Sequence, residues 1–232
     1  TNNGINRGKA SEHYGIGGSP REAEVTMVAR DIEIAKKTGA VVNIQHISCK
    51  ETAEMIRKAK QEGFTNIHGE ATPHHFTLTE DAVIEKGTLA KMNPPLREEA
   101  DRLAVIEGLK DGTIDLIATD HAPHSAEEKS RGLEKSPFGI TGIETCFPVV
   151  YTKLVRTGII TLEKAIELLA INPRKRFGIS FGNDFTVWDL EALEKVEPEK
   201  FLSMGKATPF EGWKVFGRCM ATVCDGKIVY KK

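Results

Sequence analysis

No stretch of this chain approaches the roughly 18 consecutive apolar residues that a membrane span requires, and its first four residues, Thr-Asn-Asn-Gly, do not read as a secretion signal. No charge of one sign dominates: 32 Lys and Arg stand against 33 Asp and Glu, a formal net charge of -1. So weak a field offers no general attraction for nucleic acid or an anionic membrane surface. Cysteine is sparse, and Cys49, Cys146, Cys219 and Cys224 lack both a CxxC pair and a framework spacing. Zinc-finger readings are thereby excluded, and reduced thiols in a cytoplasmic compartment are the expectation. An initiator Met is missing too, so an N-terminal part is expected ahead of Thr1. What the chain does have is 232 residues of which 40% are hydrophobic, enough to build a globular core of one to one and a half domains.

Residues 1–18 carry Gly, Asn and charge without periodicity and read as loop, with room for one short helical turn. Ser19-Pro20-Arg21-Glu22 has the pattern of a capping box ahead of Val25, Val28, Ala29, Ile32 and Ala35 at helical spacing, and Gly39 ends that helix. A strand-like run over 40–47 follows, and then Ser48 and Glu51 suggest a second capping box for a helix reaching Gly63. The unit repeats: a strand over 64–72, a short helix near 79–86, and a helix over about 98–110 presenting Leu103, Ile106 and Leu109 on one face. The segment 91–97 between them must be irregular, because Pro94 and Pro95 both lack an amide donor. A third strand spans 114–120, followed by a polar loop over 121–141 and helices near 142–157 and 162–171. The tail differs: 184–190 and 220–230 alternate like antiparallel strands, with Asp225-Gly226 as a hairpin signal. Three strands alternating with helices imply parallel βαβ units, forming either a small open sheet or the C-terminal part of a larger barrel. Residues 1–178 are expected to form this α/β part and 179–232 a small β-sandwich-like appendage.

Ionisable groups collect where the predicted strands stop. His46 ends one strand and Asp120 another, so a parallel sheet brings both to its C-terminal edge, where α/β enzymes keep their chemistry. Imidazole and carboxylate suit zinc or a related divalent ion, but two donors do not make a metal site, and ordinary hydrogen-bonded strand ends would look the same. His124, beside Pro123, could meet a substrate carboxylate or stand solvated in its loop. Asn93 before two prolines is held stiffly enough for recognition, or is simply a turn residue. His74 and His75 are candidates for orienting a ligand, with at least one expected to be structural.

Together the segments QHISCKETAEMI (45–56), EATPHHF (70–76), KMNPPLR (91–97), DGTIDLIATDHAPHSAEEK (111–129), EKSPFGITGIET (134–145) and TPFEGWKVFG (208–217) resemble the cyclic amidohydrolases, and among them the bacterial class I dihydroorotase family. The resemblance implies the C-terminal portion of a (β/α)8 TIM-like metal-dependent hydrolase barrel with a small appended β domain. The implied activity is zinc-dependent, reversible cyclisation of N-carbamoyl-L-aspartate to L-dihydroorotate in pyrimidine biosynthesis. It implies zinc, two ions in a complete enzyme, with His46 a ligand at the end of strand six and Asp120 a ligand at the end of strand eight. Asp120 would also be the catalytic acid/base. Asn93 and His124 match substrate-binding positions, and Phe138 and Gly139 match a loop whose backbone meets the substrate ring. His121 receives no role. The partner is a small-molecule substrate, with homodimerisation left open.

The family's HxHxR segment, its bridging Asp or carboxylated Lys and its fifth-strand histidine have no counterpart here, and the run from Gly178 to Asp189 is shorter than the family's. The expectation is a fragment of a longer enzyme. The competing readings are an allantoinase- or hydantoinase-type enzyme and a non-catalytic dihydroorotase-like structural subunit.

Overall fold

A computed structural model describes residues 4–232, so the first three residues of the loop expected over 1–18 lie outside the described residues. Within that loop a short helix forms, α1 (Lys9–Tyr14). Helix α2 (Glu22–Thr38) buries Val28, Ile32 and Ala35 and ends at Gly39, whose φ of 71° is the left-handed stop that glycine adopts without strain. It begins later than the sequence pattern suggests. Arg21 holds the cap position without a side-chain cap, and the Ser19 backbone instead bonds Ile5 and Arg7.

Three short parallel strands form one sheet in the order β1 (Val42–Ile44), β2 (Ile67–Ala71), β3 (Leu116–Ile117). The registers are Val42 opposite Ile67 and Glu70 opposite Leu116. The strands are shorter than expected at both ends, but single hydrogen bonds extend the pairing: Ile47 N donates to Glu70 O and Ala118 N to Ala71 O. Helix α3 (Lys50–Gln61) connects β1 to β2 with Ala53, Ile56 and Ala59 buried. Helices α4 (Pro73–Thr77), α5 (Asp81–Lys86) and α6 (Glu99–Asp111) lie between β2 and β3, and Lys91–Arg97 is irregular as its prolines require. One expectation fails on α6: Leu103 is 48% exposed, and Val105 joins Ile106 and Leu109 in the core instead.

The polar loop after β3 holds two single-turn helices, α7 (Ala126–Lys129) and α8 (Gly132–Lys135), where only loop was anticipated. Beyond it come α9 (Cys146–Val150), which runs on into a π-helical turn at Tyr151–Val155, and α10 (Leu162–Ile166), which runs through a second π turn at Glu167–Ile171 into α11 (Asn172–Phe177). The second π turn lies just ahead of Pro173, which has no amide proton to donate to an α-helical ladder. Helix and sheet faces meet in one core that includes Ile32, Ile47, Ile56, Ile67, Phe76, Leu109 and Val150.

The tail forms a separate antiparallel sheet, β4 (Phe185–Lys195), β5 (Lys214–Cys224) and β6 (Lys227–Lys231). Asp225 and Gly226 make the β5–β6 turn, both at positive φ, as the hairpin signal requires. Among the described residues this is a single sheet rather than two facing ones. The segment between β4 and β5 and the start of β5 pack inward, where Val196, Phe210 and Val215 share a second core cluster with Ile5, Val83, Met92 and Ile140. Among the described residues, no helix is long and apolar enough to cross a membrane.

Candidate active site

The parallel sheet brings His46 and Asp120 together. His46 lies two residues beyond β1 and Asp120 three beyond β3, and both adopt left-handed backbone conformations, φ 53° and 47°. Such angles are uncommon outside glycine and turn each side chain out of its strand line. His46 Nε2 lies 3.5 Å from Asp120 Oδ1, and both side chains are about three-quarters buried. On a tetrahedral zinc ion with bonds of about 2.0–2.1 Å, two donor atoms stand roughly 3.4 Å apart, so the observed spacing fits two ligands sharing one ion.

Behind them stands a residue that the sequence reading passed over. Glu70 of β2 is buried, its Oε1 is 2.9 Å from His46 Nδ1, and its Oε2 accepts a hydrogen bond from Asn43 Nδ2 at 3.0 Å. The His46 contact falls short of hydrogen-bond alignment and leaves both buried atoms without a well-aligned partner. Its polarity is nonetheless the one that a metal-binding histidine uses, with a carboxylate on one ring nitrogen and the other free to bind. Burial opposes charge on His46, but the Glu70 contact and the Asp120 and Glu70 charges outweigh it and raise its pKa. Asp120 is also raised, by burial first and by Glu70 second, against the pull of His46. Among the described residues, no group of three or more His, Cys, Asp or Glu side chains is placed to hold a metal ion. The described residues thus present two donors and not a complete cluster.

The helix that follows His46 owes its start to distant carboxylates and not to the Ser48–Glu51 box read from the sequence. Cys49 takes the cap position without a side-chain cap. Glu24 Oε1, from α2, accepts from Ser48 N, Cys49 N and Thr52 Oγ1 at 3.1, 3.0 and 2.8 Å, and Asp101 Oδ1, from α6, accepts from Lys50 N at 2.8 Å. Negative charge at a helix N-terminus is stabilising in its own right, and here it pins the chain directly after His46.

Asn93 sits exposed at the tip of the 91–97 segment, flanked by the fully buried Met92 and Leu96, and the Asn93–Pro94 bond is cis. Arg97, buried, anchors the far end through Ser48 Oγ, Asn6 Oδ1 and Ser19 O. His75 braces the middle: its Nε2 lies 3.0 Å from Pro94 O and its Nδ1 2.8 Å from Thr72 Oγ1. The carbonyl can only accept, so the proton belongs on Nε2, and burial drives the His75 pKa down to about 4 in keeping with a neutral ring. His74, whose ring centroid is 4.5 Å from that of His75, is held well below its usual range by burial and by its histidine neighbours, and its Nε2 is buried without a partner.

His124 Nε2 makes a 2.7 Å bond to Phe138 O, so the imidazole expected to face substrate straps the neighbouring loop. Gly139 N donates to Lys91 O at 3.0 Å, and Ala122 N donates to Ile140 O at 2.9 Å. The elements carrying Asn93, His124, Phe138 and Gly139 are therefore joined to one another. Gly139 is required where it stands: its φ is 113°, and a Cβ there would lie 2.5 Å from Ala122 Cβ. His121, left without a role by the sequence, accepts at Nδ1 from Gly142 N and Ile143 N at 3.1 and 3.4 Å and so orders the chain ahead of α9.

No family model matches the chain. It is 48% identical over 235 aligned residues to the dihydroorotase of Bacillus cytotoxicus and 47% identical to that of Bacillus thuringiensis, matches that cover 98% of this chain and 55% of each relative. Among solved structures, the L-hydantoinase (dihydropyrimidinase) of Arthrobacter aurescens superposes with a TM-score of 0.84 at 29% identity, over 90% of this chain and 49% of that one. The dihydropyrimidinase of Brevibacillus agri gives 0.86 at 24% identity, over 98% and 51%, a likeness of fold. The chain spans about half the length of the curated relatives it matches.

Proposed function

We propose that this chain, homologous to the C-terminal half of the dihydroorotases and built as the C-terminal portion of a TIM-type amidohydrolase barrel, contributes one side of a dihydroorotase active site. The reaction is the reversible, zinc-dependent interconversion of N-carbamoyl-L-aspartate and L-dihydroorotate. The observation that carries this reading is the facing pair His46 Nε2 and Asp120 Oδ1 at 3.5 Å, with Glu70 behind the imidazole. Residues 1–178 supply the barrel part and 179–232 the appended β part. A cytoplasmic location and a small-molecule substrate complete the reading, and a homodimer is compatible with it.

The donor set fits zinc. His46 and Asp120 would hold the ion together with ligands from outside the described residues. A bound divalent ion supplies Lewis-acid polarisation of the ring carbonyl and a water acidified toward pKa about 7. Asp120 performs the proton transfer. A carboxylate placed here can take the proton of the attacking water at one stage and return it to the leaving amide nitrogen at the next. In ring closure the steps reverse, and Asp120 begins protonated. Asn93 binds the substrate's polar groups, His124 contributes through Nδ1 while its Nε2 stays on the Phe138 carbonyl, and the main chain at Phe138 and Gly139 meets the ring.

Carbamoyl-aspartate cyclisation by the full-length, zinc-loaded protein tests the reading, and no turnover by a folded, metal-bound sample would sink it. The 232-residue chain alone should not turn over, since its described residues offer two ligands and not a cluster. Measurable cyclisation by it would refute that part. The likeness to the Arthrobacter hydantoinase sustains a second reading, hydrolysis of an uncharged ureide ring. Paired assays of rings with and without a carboxylate decide between them, and preference for the neutral ring selects the second.

A further inference from the structure

Two lysines among the described residues are buried without an ion pair, Glu134 acting on Lys91 only at longer range. Lys91 is 1% exposed and Lys129 3% exposed, and among the described residues neither has a carboxylate within ion-pair distance. An ammonium taken out of water is costly unless its protons find strong acceptors. Here the acceptors converge on one short loop. Lys91 Nζ donates to Ser136 O at 2.6 Å, and Lys129 Nζ donates to Pro137 O at 3.1 Å and to Lys91 O at 3.3 Å. The same Lys91 carbonyl accepts from Gly139 N at 3.0 Å, while Phe138 O takes the 2.7 Å bond to His124. Each residue from 136 to 139 is therefore tied through a main-chain group, two of the four by a buried ammonium. The Lys91 ammonium also lies 5.0 Å from the centre of the Phe138 ring. Burial pulls both lysines below their usual range, Lys129 to about 8, and most of the Lys129 population remains charged at neutral pH.

We propose that Lys91 and Lys129 are positioning residues that lock the main chain of residues 136–139 in its substrate-binding shape, and thereby set substrate affinity without touching the substrate. A filler role would be met by apolar side chains of similar length, which bury without the ammonium penalty. What lysine adds is charge-assisted donation to carbonyls that a methionine would leave unpaired. The inference rests on the reading of Phe138 and Gly139 as a substrate-binding loop. It links that loop to the strand-free segment beginning at Lys91, which carries Asn93 two residues later, so the loop and that segment hang on one pair of ammonium groups.

The test uses Lys129→Met and Lys91→Met in the full-length protein, with Lys129→Arg as the conservative control. Hydrogen exchange at the Gly139 amide, with the amides of α3 and α6 as internal fold controls, reports the loop. Steady-state cyclisation reports affinity and turnover. The expected result is exchange at Gly139 faster by about tenfold or more in both Met variants, KM higher by about tenfold and kcat within about threefold, with Lys129→Arg closer to the parent on both readouts. Unchanged exchange at Gly139 in both Met variants would overturn the latch, and so would a loosened loop with unchanged KM. A fall in kcat at constant KM would overturn it equally. Should the parent protein not cyclise carbamoyl-aspartate at all, the functional reading fails by itself, and the exchange measurement still decides whether the lysines hold the loop.

Discussion

Removing the Glu24 carboxylate should unfasten the chain just after His46. Ser48 and Cys49 are 2% and 0% exposed, so their amides have no ready access to bulk water once Oε1 is gone. Each buried donor left unpaired costs about 1–3 kcal/mol, and losing a negative charge from the N-terminus of α3 adds about 0.3–1 kcal/mol. The Thr52 hydroxyl can rotate toward another acceptor and is left out of the sum. Glu24→Ala is therefore expected to destabilise the fold by about 2–7 kcal/mol, a large share of the 5–15 kcal/mol typical of a whole domain. Glu24→Gln keeps an acceptor oxygen for the two amides and loses the charge and the Oε2 acceptor of the Ser48 hydroxyl, so about 1–2 kcal/mol is expected. Urea titrations of the parent and both variants, followed by far-ultraviolet circular dichroism, measure the differences as midpoint shifts at constant slope. A loss below about 1 kcal/mol in Glu24→Ala, or equal losses in the two variants, would show that solvent or Asp101 satisfies these amides and that the tertiary cap is not what holds the segment.

Asp120→Asn in the full-length protein should lower bound zinc as well as activity, whereas His124→Ala should raise KM and leave zinc content near the parent's; elemental analysis showing the larger zinc loss in His124→Ala would contradict the assigned roles. Gly139→Ala places a Cβ 2.5 Å from that of Ala122 at a φ of 113°, and should raise KM by about tenfold or more through displacement of the loop, which steady-state kinetics would register. Lys129 gives a pH signature. Its folded pKa of about 8 lies below its ordinary 10.5, so the unfolded chain binds the extra proton between those values, and the cost of burying the ammonium is fully present below pH 8 and relieved as pH climbs toward 10.5. Stability of the parent relative to Lys129→Met should therefore rise across that window, and a flat difference between their urea midpoints from pH 7.5 to 10 would refute it.

Much of the frame was legible along the chain because it is written in short-range patterns. Helical spacing in 25–35 marked α2, Pro94 and Pro95 made 91–97 irregular, Asp225-Gly226 turned a hairpin, and apolar runs ending at His46 and Asp120 marked parallel strands that bring those residues to one edge. Local patterns misled where a distant group won. Ser19 and Ser48 each stood in a capping-box spacing, yet Arg21 and Cys49 took the cap positions, and the Ser48 hydroxyl turned to the Glu24 carboxylate. Leu103 fitted the apolar stripe of α6 but lies outside the surface that this helix actually covers.

By itself, then, the sequence determined the main helices and strands, the parallel sense of the first three strands and the positions where ionisable side chains leave them, since each follows from backbone sterics and side-chain periodicity over a few residues. Only the tertiary structure decided which partners those side chains meet. Glu70 stands behind His46 because β2 lies between β1 and β3, and Glu24 reaches the start of α3 because α2 packs on that helix. His124 faces Phe138, and two ammonium groups gather on residues 136–137, because a polar loop without regular periodicity folds back across the 91–97 segment. Partners separated by tens of residues are selected by packing, and no window of sequence short enough to carry a periodicity contains both members of such a pair.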